Sequence, residues 1–346
     1  MATTLRDIAA VVGTSEATVS LVLNGKRYHR VSAEVRAKIE RVAREMNYIP
    51  NRQAQLLAGG RSMTVALLVN RLLNQFFAEY LSAIEAELSA ENYHTIPFET
   101  FSDPQRAQTL LGMIDQRLCD AIIALEYTDD PSKAADRGPD FPLVIRAEVF
   151  GQRHDPWGES TVVHVDYEPA TNKLFEHFKA AGATRIGVLC DTRHDVSLPE
   201  AQRSPRASSH LATLNRLKLY ERGSQCHSLS QEADLAEWAA ATSALLTREP
   251  GIDCLLVHNA TVIPAVLYEL AKLGKRVGHD IAVATYDDPI AARWLGGGLT
   301  VVREPVAQVT RALVESTLGL IGGDPSSEPI LVNAEFVPRA SSGLAK

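Results

Sequence analysis

The chain has 346 residues, 45% of them hydrophobic and 22% charged, which excludes a disordered chain and suggests two or three domains. No stretch approaches the roughly 20 apolar residues of a membrane span, so no membrane partner is expected. The net charge of −7 hides an asymmetry: residues 1–62 carry ten Lys/Arg against five Asp/Glu, a net +5, which leaves −12 for the rest. A basic head on an acidic body points to a polyanion partner for the head alone, although chance clustering on a solvated face would give the same count.

Up to Tyr48 the spacing predicts three helices. The first follows Thr4, with Asp7 placed for a capping box; Ile8, Ala9 and Val12 share one face, and Gly13 ends it. The second has Ser15 as its N-cap and Gly25 as its stop. The third is capped by Ser32 and carries the stripe Val35, Ile39, Val42, Ala43 and Met46. The next segment, "IPNRQAQLLAGGRS", runs from Pro50 to Gly59-Gly60 and leaves room for barely two turns; it reads as a linker that folds conditionally.

After Met63, apolar runs of strand length alternate with helical stretches. Residues 64–69, 120–125, 142–147, 185–190, 253–258 and 281–286 read as buried parallel strands. Between them fall helices such as 76–91, 104–117, 168–181, 205–219, 231–247 and 261–273. This alternation predicts an α/β body of doubly wound sheets, long enough for two lobes with a ligand cleft at the strand ends.

On a wheel at about 100° per residue, Val19, Val22 and Leu23 fall in one arc and pack on the first helix. Glu16, Ala17, Ser20, Leu21 and Asn24 fall in the opposite arc. Two short helices joined at Gly13 form a helix-turn-helix, whose outer face enters a DNA major groove. Leu21 and Ala17 then meet thymine methyls, Glu16 accepts from cytosine N4, and Ser15, Thr18 and Ser20 bond phosphates. The plainer alternatives are that Leu21 packs loosely on a neighbouring segment and that the hydroxyls only cap and solvate the helix.

The stretches "TLRDIAAVVGTSEATVSLVLNG" and "VSAEVRAKIERVAREMNYIPNRQAQLLAGGRS" resemble the lactose/galactose repressor family of bacterial helix-turn-helix transcription regulators. The likeness continues in "NQFF" at 74–77, "RLCDAIIAL", "RASSHLATL" at 206–214, "DIAVATYDDPIAA" and "LTVVREPVAQV". The resemblance implies a periplasmic-binding-protein-like body of two doubly wound parallel-sheet lobes. It implies three segments: 1–48 for DNA binding, 49–62 as hinge helix and linker, and 63–346 for effector binding and dimerisation. It also implies a hinge-helix wedge in the minor groove at Leu57, with Ala54 against the partner subunit; ordinary packing on the body is the alternative for Leu57. The family commonly has Arg where this chain has Leu21, so the operator sequence does not transfer.

The same resemblance carries over Arg206, Asn259, Asp287 and Asp166 as polar pocket residues, with Phe76 or Phe77 as an apolar wall. Bidentate Arg and carboxylate acceptors suit a polyol. Taken singly, Asp287-Asp288 also reads as a turn before Pro289, and Arg206 as a surface ion pair. Ala260 stands where the family has a second carboxylate. The implied partners are pseudo-palindromic double-stranded operator DNA, a sugar or sugar-derived effector, and a second copy of the chain, as a homodimer or a dimer of dimers.

The ten scattered histidines show no zinc-ligand spacing, and there is no P-loop or nucleophile elbow, so no metal, cofactor or enzyme activity is expected. The alternative is a sugar-binding protein without regulatory DNA binding. "MATTLRDIAA" lacks a basic n-region leading into an apolar run, so no signal peptide is expected. Cys119, Cys190, Cys226 and Cys254 form no CxxC pair. Both features favour a reduced, cytoplasmic compartment and argue against that alternative.

Overall fold

The computed structural model describes residues 3–23, 31–48, 61–101, 103–114, 118–125, 142–149, 161–200, 204–221, 223–230, 233–324 and 330–344. These fall into two compact units, Met1–Arg61 and Ser62–Lys346.

The head is three helices: α1 (Leu5–Val12), α2 (Glu16–Leu23) and α3 (Ala33–Glu45). Thr4 Oγ1 accepts from the Asp7 N–H at 3.3 Å and the Asp7 carboxylate accepts from the Thr4 N–H at 2.9 Å, closing the expected capping box. Gly13 ends α1 at φ +80°, a left-handed position that favours glycine, and its N–H donates to Ala9 O at 2.9 Å. Ile8, Ala9 and Val12 meet Val19 and Val22 from α2 and Ile39, Val42 and Ala43 from α3 in one small core. Lys38 Nζ donates to Val12 O at 3.0 Å, placing a cation at the C-terminal end of α1. The expected stop at Gly25 lies outside the described residues.

The body contains two six-stranded sheets. The first uses β1 (Thr64–Val69), β2 (His94–Glu99), β3 (Ala121–Ala124), β4 (Leu143–Val149), β5 (Thr161–Asp166) and β11 (Ile330–Asn333), in the order β11-β5-β4-β3-β1-β2. The second uses β6 (Ile186–Asp191), β7 (Cys226–Leu229), β8 (Cys254–Val257), β9 (Ala282–Tyr286), β10 (Thr300–Arg303) and β12 (Glu335–Val337), in the order β12-β10-β9-β8-β6-β7. Helices α4 (Gln75–Ala90), α5 (Pro104–Met113) and α10 (Val306–Gly322) belong to the first lobe. Helices α6 (Glu168–Ala180), α7 (Pro205–Arg216), α8 (Leu235–Arg248) and α9 (Ile263–Lys272) belong to the second. The chain crosses between lobes after β5, after β10 and after β11, so Tyr167, Glu304 and Ala334 stand at the crossings.

The expected runs correspond to β1, β3, β4, β6, β8 and β9, six of the eight inner strands of the two sheets. Among the described residues they are half of the strands. The runs passed over β2, β7, β11 and β12, which are edge strands with mixed exposure and so no continuous apolar stretch. They also passed over β5 and β10, where Thr161, His164, Asp166 and Arg303 interrupt the apolar pattern. One further correction is that the second sheet is not wholly parallel: β12 runs antiparallel to β10, pairing Val302 with Phe336. The expected helices 205–219 and 231–247 are the shorter or shifted Pro205–Arg216 and Leu235–Arg248; Asp234 caps the latter and sets its start.

Thr4→Ala removes one side of the capping box and lowers α1 stability by about 1 kcal/mol. Amide exchange along α1 then speeds up about five-fold, with β1 amides unchanged; equal exchange in both proteins would contradict this role.

Candidate functional site

In the head, the core takes one face of α2 and leaves the other. Ser15, Glu16 and Ala17 are exposed, whereas Thr18, Ser20 and Leu21 are half-buried. Leu21 stands outside the apolar cluster that takes Val19, Val22 and Leu23. Ser15 caps α2, its Oγ accepting from the Thr18 N–H at 3.1 Å and meeting Thr18 Oγ1 at 2.8 Å. The remaining DNA-facing residues, Asn24, Ala54 and Leu57, lie outside the described residues.

In the body, a cavity of about 520 Å³ opens where the lobes meet. Asn74, Phe76 and Glu79 line it from the first lobe, Thr261 and Asp287 from the second, and Glu304 from a crossing. A larger groove, about 1040 Å³, runs between α8 and α9. Small side chains such as Ala236, Ala239, Ala240 and Ala244 line much of it; of its charged residues, Lys272 and Glu269 are paired at 2.8 Å and Arg248 donates to Cys226 O at 2.9 Å. It offers no convergent polar set, so the smaller cavity is the better ligand site.

The cavity is built around a buried charge node. Glu304 is 4% exposed, and its carboxylate accepts from Arg146 Nε at 2.9 Å and from Arg146 Nη2. Tyr167 Oη donates to it at 2.5 Å, and Tyr80 Oη donates as well. Arg146 also donates to Leu125 O at 3.1 Å and to Glu148 at 3.3 Å. Glu148 in turn accepts from Arg206 of the opposite lobe. Burial works against charge on Glu148, but Arg206 and Arg146 overcome it and hold the carboxyl down at about 2. The Arg206 guanidinium stacks over the rings of Tyr286 (4.7 Å) and Tyr167 (5.3 Å).

Asp287 differs from these acids. It follows β9 at φ +67°, and its N–H donates to Val302 O at 2.9 Å, which fixes the backbone. Its carboxyl has no hydrogen-bond or ion-pair partner among the described residues. Burial pushes that carboxyl up to about 7, Glu304 and Glu148 add to the rise, and Arg206 and Arg146 oppose it. The neighbouring Asp288 is structural, with Arg339 at 2.7 Å, Arg303 at 2.9 Å and Arg293 at 3.4 Å.

Of the other expected pocket residues, Phe76 lines the cavity, with the Arg146 guanidinium 5.1 Å from its ring centroid. Phe77 is 4% exposed and packs into the body core. Asp166 accepts from the Glu168 N–H at 2.9 Å at the start of α6. Asn259 is exposed and caps a short 3₁₀ turn through Thr261 N at 2.9 Å, which places Ala260 and Thr261 on the cavity wall. Arg206 is engaged by Glu148 and stacked on tyrosines rather than exposed as a surface pair.

Sequence reasoning missed Arg146, Glu148, Glu304, Tyr80 and Tyr167. The available signal was a charge inside an apolar strand, "LVIRAEV", because a buried Arg requires a partner. It also missed the rings packed behind Tyr286. His210 Nε2 meets Tyr286 Oη at 2.7 Å, and His258 lies 5.4 Å from the Tyr286 ring. Burial keeps both imidazoles well below their ordinary pKa, hence neutral.

Two family models match the chain: bacterial regulatory proteins, lacI family, over residues 4–51, and a periplasmic binding protein-like domain over 175–342. The chain is 25% identical to the ribose operon repressor of Haemophilus influenzae over 316 residues, covering 91% of each. It is 24% identical to the transcriptional repressor PurR of Vibrio atlanticus over 347 residues, covering 98% of each. A lac repressor dimer solved with operator and an anti-inducer superposes with a TM-score of 0.78 at 22% identity, over 99% of this chain and 100% of that one.

Replacing one member of the Arg146–Glu304 pair strands a buried charge. Arg146→Met and Glu304→Gln each cost about 3–5 kcal/mol in urea unfolding, and the double variant costs clearly less than their sum. Additive losses would show that the pair is not coupled.

Asp287 binds its proton more tightly in the folded chain than in the unfolded one. Its contribution to stability is therefore present below about pH 4 and is lost as pH rises through about 7. Asp287→Asn tolerates the left-handed backbone and removes that loss, so at pH 8 the variant is more stable than wild type by roughly 1–2 kcal/mol. A wild-type advantage at pH 8 would refute this assignment.

Proposed function

Because the chain belongs to the lacI family of bacterial regulatory proteins and is a DNA-binding transcription regulator, we propose that it represses from a pseudo-palindromic operator under the control of a small hydroxylated metabolite bound between the lobes. One observation carries this reading: a single chain joins a basic head, whose α2 keeps Ser15, Glu16 and Ala17 outside the apolar core, to a body with a ligand-sized cavity, apolar-walled with a few polar side chains, where its lobes meet.

Two heads in a dimer read two half-sites, and α2 supplies the base contacts through Glu16, Ala17 and Leu21. Ser15, Thr18, Ser20 and Asn24 hold phosphates. Between head and body, Leu57 acts as a minor-groove wedge, with Ala54 against the partner's hinge. In the cavity, Phe76 gives an apolar wall, Asp287 takes ligand donors, and Asn259 shapes the rim through its cap. Arg206 engages ligand hydroxyls by exchanging them for Glu148. Asp166 and Phe77 act from behind, by holding α6 and α4.

Ligand binding favours one lobe arrangement over another, and that difference is what couples the cavity to DNA affinity. No catalytic step is part of this reading. A cytoplasmic location fits it, and among the described residues no helix is long and apolar enough to cross a membrane.

The test is half-site selection from random duplexes, followed by salt titration. Full-length protein binds its selected site with a log–log salt slope of about −4 or steeper, and residues 63–346 alone do not bind it. Leu21→Arg still folds and binds but selects a different half-site, enriched in guanine. Equal DNA binding by the 63–346 fragment, or an unchanged half-site in Leu21→Arg, would overturn the assigned roles.

A further inference from the structure

The charges lining and backing the cavity do not balance. Arg146 and Arg206 are matched by Glu304 and Glu148 through direct contacts. On the cavity wall, Arg303 and Arg293 are matched by Asp288 at 2.9 and 3.4 Å and Arg303 by Glu335 at 3.0 Å, with Arg339 on Asp288 at 2.7 Å from behind. Asp287 is left over: a half-buried carboxyl on the cavity wall with no bonded partner among the described residues, in the field of two carboxylates, Glu304 and Glu148, as well as of Arg206 and Arg146. At the mouth, the exposed Glu79 adds another negative charge.

We propose that the effector is a hydroxylated amine, whose protonated nitrogen pairs with the carboxylate of Asp287, and that anionic sugar derivatives are excluded. This rests on the cavity being the effector site. An ammonium supplies a counter-charge to Asp287, whose carboxyl has no bonded partner among the described residues, and offsets the field of Glu304 and Glu148 on it. Burial first, and these two carboxylates second, raise the proton affinity of Asp287, while Arg206 and Arg146 oppose the rise. A neutral polyol leaves Asp287 either protonated or uncompensated, and a phosphate or carboxylate on the ligand adds to the repulsion. Beside Tyr286, outside the cavity lining, His258 is 6% exposed, and neither of its ring nitrogens has a hydrogen-bond partner among the described residues. Being neutral, its ring can both donate to and accept from an ordered water.

Matched probes of nearly equal shape test the charge alone. Tris and D-glucosamine carry the amine; pentaerythritol and D-glucose replace it with a hydroxymethyl or hydroxyl group. Each is titrated calorimetrically up to 20 mM into the full chain in phosphate buffer at pH 7.5 and constant ionic strength. At least one amine is expected to bind about ten-fold more tightly than its neutral counterpart, with that preference falling to within two-fold in Asp287→Asn. Equal or tighter binding of the neutral partners, a preference that survives Asp287→Asn, or no binding by either amine would each overturn the proposal. If a neutral probe binds and Phe76→Ala abolishes that binding, the cavity remains the effector site and only the cationic class fails. If probe binding is indifferent to both Phe76→Ala and Asp287→Asn, the site assignment fails with it.

Discussion

A carboxylate sealed in a protein interior must be compensated, and Glu304 is the point on which the body depends. It stands where the chain leaves the second sheet for the first lobe. Its oxygens take hydrogen bonds from Arg146 on β4, Tyr80 on α4 and Tyr167 at another crossing. One buried anion therefore ties two of the three crossings to the first lobe. The third is held nearby, where the Ala334 N–H donates to Asp166 O at 2.9 Å. Taking ions out of water is costly, and a pair of this kind is a poor source of net stability. What it supplies is position: the crossings cannot swing without exposing or stranding charge.

The cavity inherits its chemistry from that node. Arg146 also donates to Glu148, and Glu148 accepts from Arg206 of the other lobe, so the lobes are joined by an alternating chain of charges. Asp287 stands at the end of this chain without a counter-charge, held in place by a left-handed backbone and a hydrogen bond to β10. A ligand that supplies the missing partner changes the balance of forces between the lobes. Coupling of the cavity to the operator requires such a difference in ligand contact between two arrangements.

The sequence made the helical head legible because its periodicity, caps and turn agree: Thr4 with Asp7, Gly13, and the Ile8/Ala9/Val12 face all occur where expected. It made six of the eight inner strands legible because burial on both faces favours continuous apolar runs, as in the fully buried β1; β5 and β10 carry polar residues and escaped. Edge strands escaped because one side of each faces water. The site was legible only in part. Phe76 and Asp287 line the cavity, but resemblance could not reveal that Arg206 is already spoken for by Glu148. The Arg146–Glu304 pair spans residues far apart in the chain, and no local pattern encodes such a contact. The informative sign was an arginine inside an apolar strand.

The role of Glu304 in fixing the lobes is open to direct measurement. Spin labels at Ser89→Cys on α4 and Asn215→Cys on α7 sit on exposed positions of opposite lobes, while the four native cysteines are buried. Pulsed electron–electron resonance on labelled chain diluted with unlabelled chain then reports the lobe-to-lobe distance. If the Glu304 node sets the arrangement, the unliganded protein gives one narrow distribution, and Glu304→Gln broadens it or splits it in two. An equally narrow distribution at the same distance in Glu304→Gln would show that the lobes are held by something else.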